Sequence, residues 1–241
     1  MRAFAKTDIG KAREINQDYY YIPTEESELG VFILADGMGG YNGGEVASKL
    51  AVESAKRYIE SNFKQIEHTK ELIIGLIKSA IEYANMVVYE KSKEVKELEG
   101  MGTTIDICLI HNNRIYIGHV GDSRIYRVRN GLIRKLTKDH SYVQKLIEDG
   151  TITREEAITH PKKNMLMKAL GCTPYVEPDL KIRRFEIGDI LLMCSDGLSN
   201  MVKDEEIQFV LENNPENAPE RLIEMANLTG GYDNITVITI I

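Results

Sequence analysis

Apolar residues recur every three to four positions in two long stretches of the chain. In residues 44–60, Val46, Leu50, Ala51, Ala55 and Tyr58 fall on one side of a helix, and in 69–96 Ile73, Ile77, Ile81, Ala84 and Val88 do the same. The opposite faces carry charge, so both predicted helices should lie against a core from outside. Short β-branched and aromatic runs predict strands at 18–22, 31–35, 104–110, 114–120, 124–128, 132–136, 180–186, 189–194 and 235–241. The connections HNN at 111–113, GDS at 121–123 and RNG at 129–131 have hairpin spacing, which implies mostly antiparallel sheet. Shorter helical patterns fill 141–149, 153–158, 204–213 and 217–227. Strands in clusters and helices in pairs predict an α+β class with a layered architecture.

Composition narrows this picture. The 241 residues are 43% apolar and contain no Pro/Ser-rich linker, low-complexity tract or repeat, so a single domain spanning 1–241 is expected. A net charge of −7 supplies no basic stripe, which excludes nucleic acid as a partner. The N-terminal stretch lacks the apolar run of a signal peptide, and no segment approaches 18 uninterrupted apolar residues. The expectation is a soluble cytoplasmic protein, without a membrane partner and acting as a monomer. Cys108, Cys172 and Cys194 are odd in number and lack CxxC spacing, which argues for buried thiols rather than a disulfide framework or zinc site.

The candidate chemistry lies in aspartates at strand ends. In VFILADG an apolar run meets Asp36, and ILLMCSDG repeats the pattern at Asp196. Asp122 falls between two predicted strands and Asp233 just before the last. Each has an ordinary reading as a turn residue. Gathered at one sheet edge, two such carboxylates ~5 Å apart would repel by roughly 3 kcal/mol at an effective dielectric of ~20, so the cluster would require cations. All the candidate ligands are oxygens, which favours Mg²⁺ or Mn²⁺ over zinc. Glycine after Asp36 frees a carbonyl for close approach. Two ions ~3.5 to 4 Å apart can share a hydroxide and clamp a phosphoryl group, making phosphate-ester hydrolysis the natural reaction. Asp18 adds a carboxylate at a strand start, and Arg13, five residues earlier, has a fork suited to phosphate oxygens.

These residues sit in a recognisable series. Arg13-x-x-Asn16-Gln17-Asp18, Ala35-Asp36-Gly37-Met38-Gly39-Gly40 with Gly43-Gly44-Glu45, and Gly102-Thr103-Thr104 are followed by Val120-Gly121-Asp122-Ser123-Arg124. Leu136-Thr137-x-Asp139-His140-Ser141, Ser195-Asp196-Gly197-Leu198 and Asp233-Asn234-x-Thr236 complete it. The series resembles the bacterial type of the PP2C (PPM) family of metal-dependent serine/threonine protein phosphatases. The resemblance implies a four-layer α-β-β-α sandwich, in which a central antiparallel β-sandwich is flanked by helix pairs. It implies that Asp36 bridges two metals, the Gly37 carbonyl binds the second, and Asp196 and Asp233 bind the first. Asp18 would act through water, Arg13 would hold the phosphate, and Asp122 would help bind a third, weaker ion. The implied substrates are phosphoserine and phosphothreonine proteins, with a serine/threonine kinase opposing the enzyme. Residues 141–172 resemble the family's flap beside the site and read either as an ordinary helical insertion or as a substrate-facing lid, with His160 and Lys162 solvated. Met38 stands where eukaryotic members commonly carry a histidine, and a thioether cannot donate a proton to the leaving alcohol.

Three rival readings are weaker. Cys108 and Arg114 have the Cys-x5-Arg spacing of cysteine phosphatases, but the segment lacks glycine and the Ser/Thr after the arginine that a phosphate loop needs. A dinucleotide motif starting at Gly37 meets Asn42 where its last glycine should be. A binding module built on a spent phosphatase fold would have lost Asp36, Asp196 or Asp233, and all three are present.

Overall fold

The computed structural model describes all residues except 25, 28 and 39–42, so Gly39 and Gly40 of the glycine-rich run, and Asn42, lie outside the described residues. In chain order the strands are β1 (Ala3–Asp8), β2 (Asp18–Tyr21), β3 (Gly30–Met38), β4 (Gly102–Thr103), β5 (Ile105–His111), β6 (Arg114–Val120), β7 (Arg124–Arg129), β8 (Leu132–Lys135), β9 (Asp179–Arg184), β10 (Ile190–Cys194) and β11 (Ile235–Ile240). The helices are α1 (Gly44–Phe63), α2 (Lys70–Glu94), α3 (Tyr142–Glu148), α4 (Arg154–Ile158), α5 (Asp196–Ser199), α6 (Asp204–Asn213) and α7 (Ala218–Leu228).

Two antiparallel sheets stack face to face, one ordered β1-β11-β10-β7-β8 and the other β2-β3-β5-β6-β9, with β4 paired to the end of β3. Strand alternation sorts the side chains between faces. Phe32, Leu34, Cys108, Ile115, Ile117, Leu191, Met193 and Ile238 fill the space between the sheets. Val31, Ile33, Ile107 and Leu109 point the other way, against the apolar stripes of α1 and α2. On the far side, Tyr126, Leu192, Val237, Ile207, Leu211, Leu222 and Ala226 join the second sheet to α6 and α7. The four-layer α-β-β-α order expected from the resemblance is therefore the observed one. Helix α2 is long and apolar enough to cross a membrane by length and composition, but its apolar stripe is the one buried on the sheet.

Several local expectations need correction. The apolar run at 31–35 does not end at Asp36, because β3 continues to Met38 and takes the aspartate into the sheet. The GDS segment is not a hairpin turn: β6 and β7 belong to different sheets, so Gly121–Ser123 is where the chain crosses the sandwich. The other two hairpins hold, with Asn112, Asn113, Asn130 and Gly131 all at positive φ, as tight two-residue turns require. Of the three thiols, Cys108 and Cys194 are buried but Cys172 is exposed.

Candidate active site

The ends of both sheets meet where the aspartates lie. In the β2–β3 pair Asp18 stands directly opposite Asp36, so two carboxylates share one face of the ladder. Like charges in that position destabilise a sheet unless something compensates. The other sheet contributes Asp196, two residues beyond β10, and Asp233, two residues before β11. The crossing segment brings Asp122 to the same region, close enough for Asp36 to feel its charge along with those of Asp18, Asp196 and Asp233.

The local backbone explains the Asp-Gly pairs. Neither Gly37 nor Gly197 has positive φ. A Cβ on Gly37 would overlap the Gly44 carbonyl, and one on Gly197 would overlap that of Asn234. Each glycine thus permits a close approach of two backbones rather than making a turn. Asp36 is fixed through its main chain: its N–H donates to Thr104 Oγ1 at 2.9 Å, and its carbonyl accepts from Thr104 N at 2.9 Å. Asp18 is fixed through its side chain, with Ser195 Oγ donating to Oδ2 at 2.7 Å across the sandwich, while Oδ1 is buried without a partner. Asn234 closes the region: its Oδ1 accepts from Gln17 N, and its Nδ2 donates to the carbonyls of Ile9 and Ile15.

Electrostatics follow from this crowding. Burial, ahead of any charge, raises the Asp18 carboxyl to about 7, Asp196 to about 6 and Asp122 to about 8, and neighbouring carboxylates add to each rise. Asp36 is raised well above the usual range by burial first and then by Asp18. Cations nearby are few. Arg124 follows Asp122 by two residues, but its guanidinium is committed to Asp139, with Nη2 donating to Oδ2 at 2.7 Å. Arg13 donates from Nη2 to Asp233 Oδ2 at 2.8 Å, in a pair that is partly open to solvent.

The structure therefore brings together every aspartate singled out in the sequence, and it places Arg13 on Asp233. Ser195, Thr104 and Asn234 belong to the motifs, but sequence reasoning assigned them no role. Ser195 and Asn234 could have been found from their place beside Asp196 and Asp233, whereas Thr104, in Gly102-Thr103-Thr104, adjoins none of the candidate aspartates. His160 and Lys162 lie away on the segment following α4, where Lys162 Nζ rests over the Tyr142 ring at 5.2 Å. Cys108 sits inside β5 opposite Ile117, with its thiol pushed far up by burial, and Arg114 begins the next strand, so no phosphate loop forms there.

Comparison with known proteins identifies the family. A family model described as Protein phosphatase 2C matches residues 10–227. The serine/threonine phosphatase stp of Listeria monocytogenes is 37% identical over 244 residues, covering 100% of this chain and 95% of that protein. Among solved structures, Staphylococcus aureus serine/threonine phosphatase Stp1 superposes with a TM-score of 0.91 at 36% identity, covering 98% of this chain and 93% of that one. The catalytic domain of the phosphatase PstP, solved in complex with 2 manganese ions, does so with a TM-score of 0.86 at 37% identity, covering 99% and 96%. The chain belongs to the protein phosphatase 2C family.

Proposed function

We propose that this chain is a metal-dependent protein phosphatase that hydrolyses phosphoserine and phosphothreonine esters. The observation that carries the metal is the Asp18–Asp36 pair, a buried and a half-buried carboxylate in direct cross-strand register, the buried one with an oxygen that nothing satisfies. Burying like charges together costs several kcal/mol unless positive charge is supplied. The donor set is entirely oxygen, which fits Mn²⁺ or Mg²⁺. Among the described residues no three His, Cys, Asp or Glu side chains close into a cage. Asp36, the Gly37 carbonyl, Asp196 and Asp233 would hold two ions, Asp18 would act through water, and Asp122 would help hold a third. When bound, such ions would activate water for attack on phosphorus and neutralise the phosphoryl oxygens.

The chain's own residues set up the rest. Ser195 aims the Asp18 carboxylate and Thr104 locks the Asp36 backbone, so neither group must reorganise during turnover. Arg13 and a cation compete for Asp233; a cation there frees the guanidinium to take phosphate oxygens. Met38 offers the leaving alkoxide no proton, which leaves that role to water. Residues 141–172 form the flap of a single domain spanning 1–241. Its substrates are phosphoproteins made by an opposing serine/threonine kinase, met in the cytoplasm by a monomeric enzyme. The test is phosphate release from a phosphothreonine peptide. Release should require Mn²⁺ or Mg²⁺, stop in EDTA and return on adding metal. Undiminished release in EDTA, or none with either metal, overturns the reading.

Arg13→Ala should raise KM for a phosphopeptide about tenfold to a hundredfold, the worth of a charge-assisted hydrogen bond, with a smaller change in kcat. The melting temperature should hardly move, since an exposed ion pair contributes little to stability. A fall in kcat at constant KM would instead assign Arg13 to holding Asp233.

A further inference from the structure

His140 stands where the segment 141–172 leaves the core, and it is bonded in three ways. Its backbone N–H donates to the Gly121 carbonyl at 2.7 Å, and the Gly121 N–H donates back to His140 Nδ1 at 3.1 Å. Its own carbonyl accepts from Met167 N at 2.8 Å, on the arm by which the segment returns. Ser141 bridges Leu166, and Tyr142 N donates to Met165 O, so the two arms remain paired beyond His140.

For Nδ1 to accept a hydrogen bond, the ring must be neutral with its proton on Nε2. That nitrogen faces Asp179 Oδ1 at 3.2 Å, off the line of a well-formed hydrogen bond. The neighbouring ring reinforces this state. His119, 4.7 Å away between centroids, points Nδ1 at Asp106 Oδ1 and Nε2 at the Lys138 carbonyl, and two acceptors favour its protonated form. A charged ring beside it, added to burial, disfavours a second charge on His140.

Gly121 is pinned from its other side too. At φ 120, a Cβ there would overlap the Thr104 side chain. Thr104 Oγ1 accepts from Asp36 N and shares a 2.9 Å hydrogen bond with Ser123 Oγ. The crossing segment that carries Asp122 is thus held between Thr104 and His140. The far end of 141–172 is tied just as closely: Leu170 exchanges two backbone hydrogen bonds with Thr103, whose Cα partner in β3 is Gly37.

We propose that His140 is a positioning residue that locks the segment 141–172 to the Gly121–Asp122 crossing, so that the segment and the Asp122 carboxylate move as one unit. A phosphopeptide pressing on the segment then alters cation affinity at Asp122, and a cation there alters by the same factor the segment's hold on the peptide. The coupling rests on the cation-binding role proposed for Asp122; the clasp itself does not.

The test compares wild type with His140→Ala, His140→Asn and Asp122→Ala. Amide hydrogen exchange at Gly121 and Met167 is read in metal-free protein, with Ile107 in the core of β5 reporting global opening. Mn²⁺ titrations then read the weakest site, with and without a phosphopeptide. In His140→Ala, exchange at Gly121 and Met167 should rise together while Ile107 stays protected, and weak-site Mn²⁺ affinity should fall about fivefold to tenfold. His140→Asn should restore both, because Asn Oδ1 sits where Nδ1 does and can accept from Gly121. Unchanged Gly121 exchange in His140→Ala overturns the clasp. Faster exchange with wild-type weak-site affinity overturns positioning. If Asp122→Ala binds Mn²⁺ as wild type does, the role of Asp122 fails and the coupling with it, while paired loosening of Gly121 and Met167 still upholds the clasp.

Discussion

Asp36→Asn is expected to lower kcat toward a phosphothreonine peptide by about three orders of magnitude or more, the loss that follows when about 4 kcal/mol of transition-state stabilisation disappears. Asparagine keeps the shape and the main-chain bonds to Thr104, so the fold should survive. It removes one charge from a group in which Asp36 feels Asp18, Asp196, Asp122 and Asp233. The same substitution should therefore raise the melting temperature of metal-free protein while weakening Mn²⁺ binding. Activity and stability moving in opposite directions is the signature of a carboxylate held in place at a cost to the fold. Cys108→Ser serves as the control and should retain activity, because the thiol is buried within β5 and stays protonated. Wild-type turnover in Asp36→Asn, or loss of turnover in Cys108→Ser, would send the chemistry elsewhere.

Much of this site was legible in the sequence because its residues are marked by local pattern. An apolar run that breaks at Asp-Gly is visible without knowing what lies opposite, and so are the helical periods of α1 and α2. Register was not legible. That Asp18 faces Asp36 depends on how β2 pairs with β3, which no local window encodes. Sheet membership was hidden for the same reason, and a three-residue link between β6 and β7 read as a hairpin although it crosses the sandwich. Strand β1 escaped notice because its inward positions include Ala3 and Ala5, too small to mark an apolar alternation, and its pairing is with the distant β11. Strand β4 is two residues long and below any periodic signal. Ser195 and Thr104 look like ordinary small polar residues until the fold places one against Asp18 and the other against the Asp36 backbone.

Metal-free protein should lose stability as pH rises from about 5.5 to 8.5, and Mn²⁺ should reverse that trend. Asp196, Asp18 and Asp122 are raised to about 6, 7 and 8, chiefly by burial, and Asp36 is raised as well. A carboxyl whose folded value exceeds its unfolded one contributes stability that is full below the unfolded value near 4, and that is lost as pH rises through the folded value. The loss should therefore fall between about pH 6 and 8, where the unfolded chain has already given up these protons. A tenfold change in the acidity of one group on folding is worth about 1.4 kcal/mol, so several groups together should move the melting temperature by many degrees. Asp139, Asp179 and Asp189 are shifted downward, despite burial, mainly by Arg124, His140 and Arg129 respectively, and their contribution is lost only in acid below this window. His119, whose pKa Asp106 raises against burial, loses stability in the same direction as the site carboxylates, but not in a way that metal reverses. Mn²⁺ competes with protons for the carboxylates, so its stabilising effect should grow with pH. Thermal unfolding in EDTA and in excess Mn²⁺ at several pH values reads both slopes. A metal-free melting temperature that holds or rises toward pH 8.5, or an Mn²⁺ increment equal at both ends, would mean that these carboxylates do not form one cation-seeking cluster.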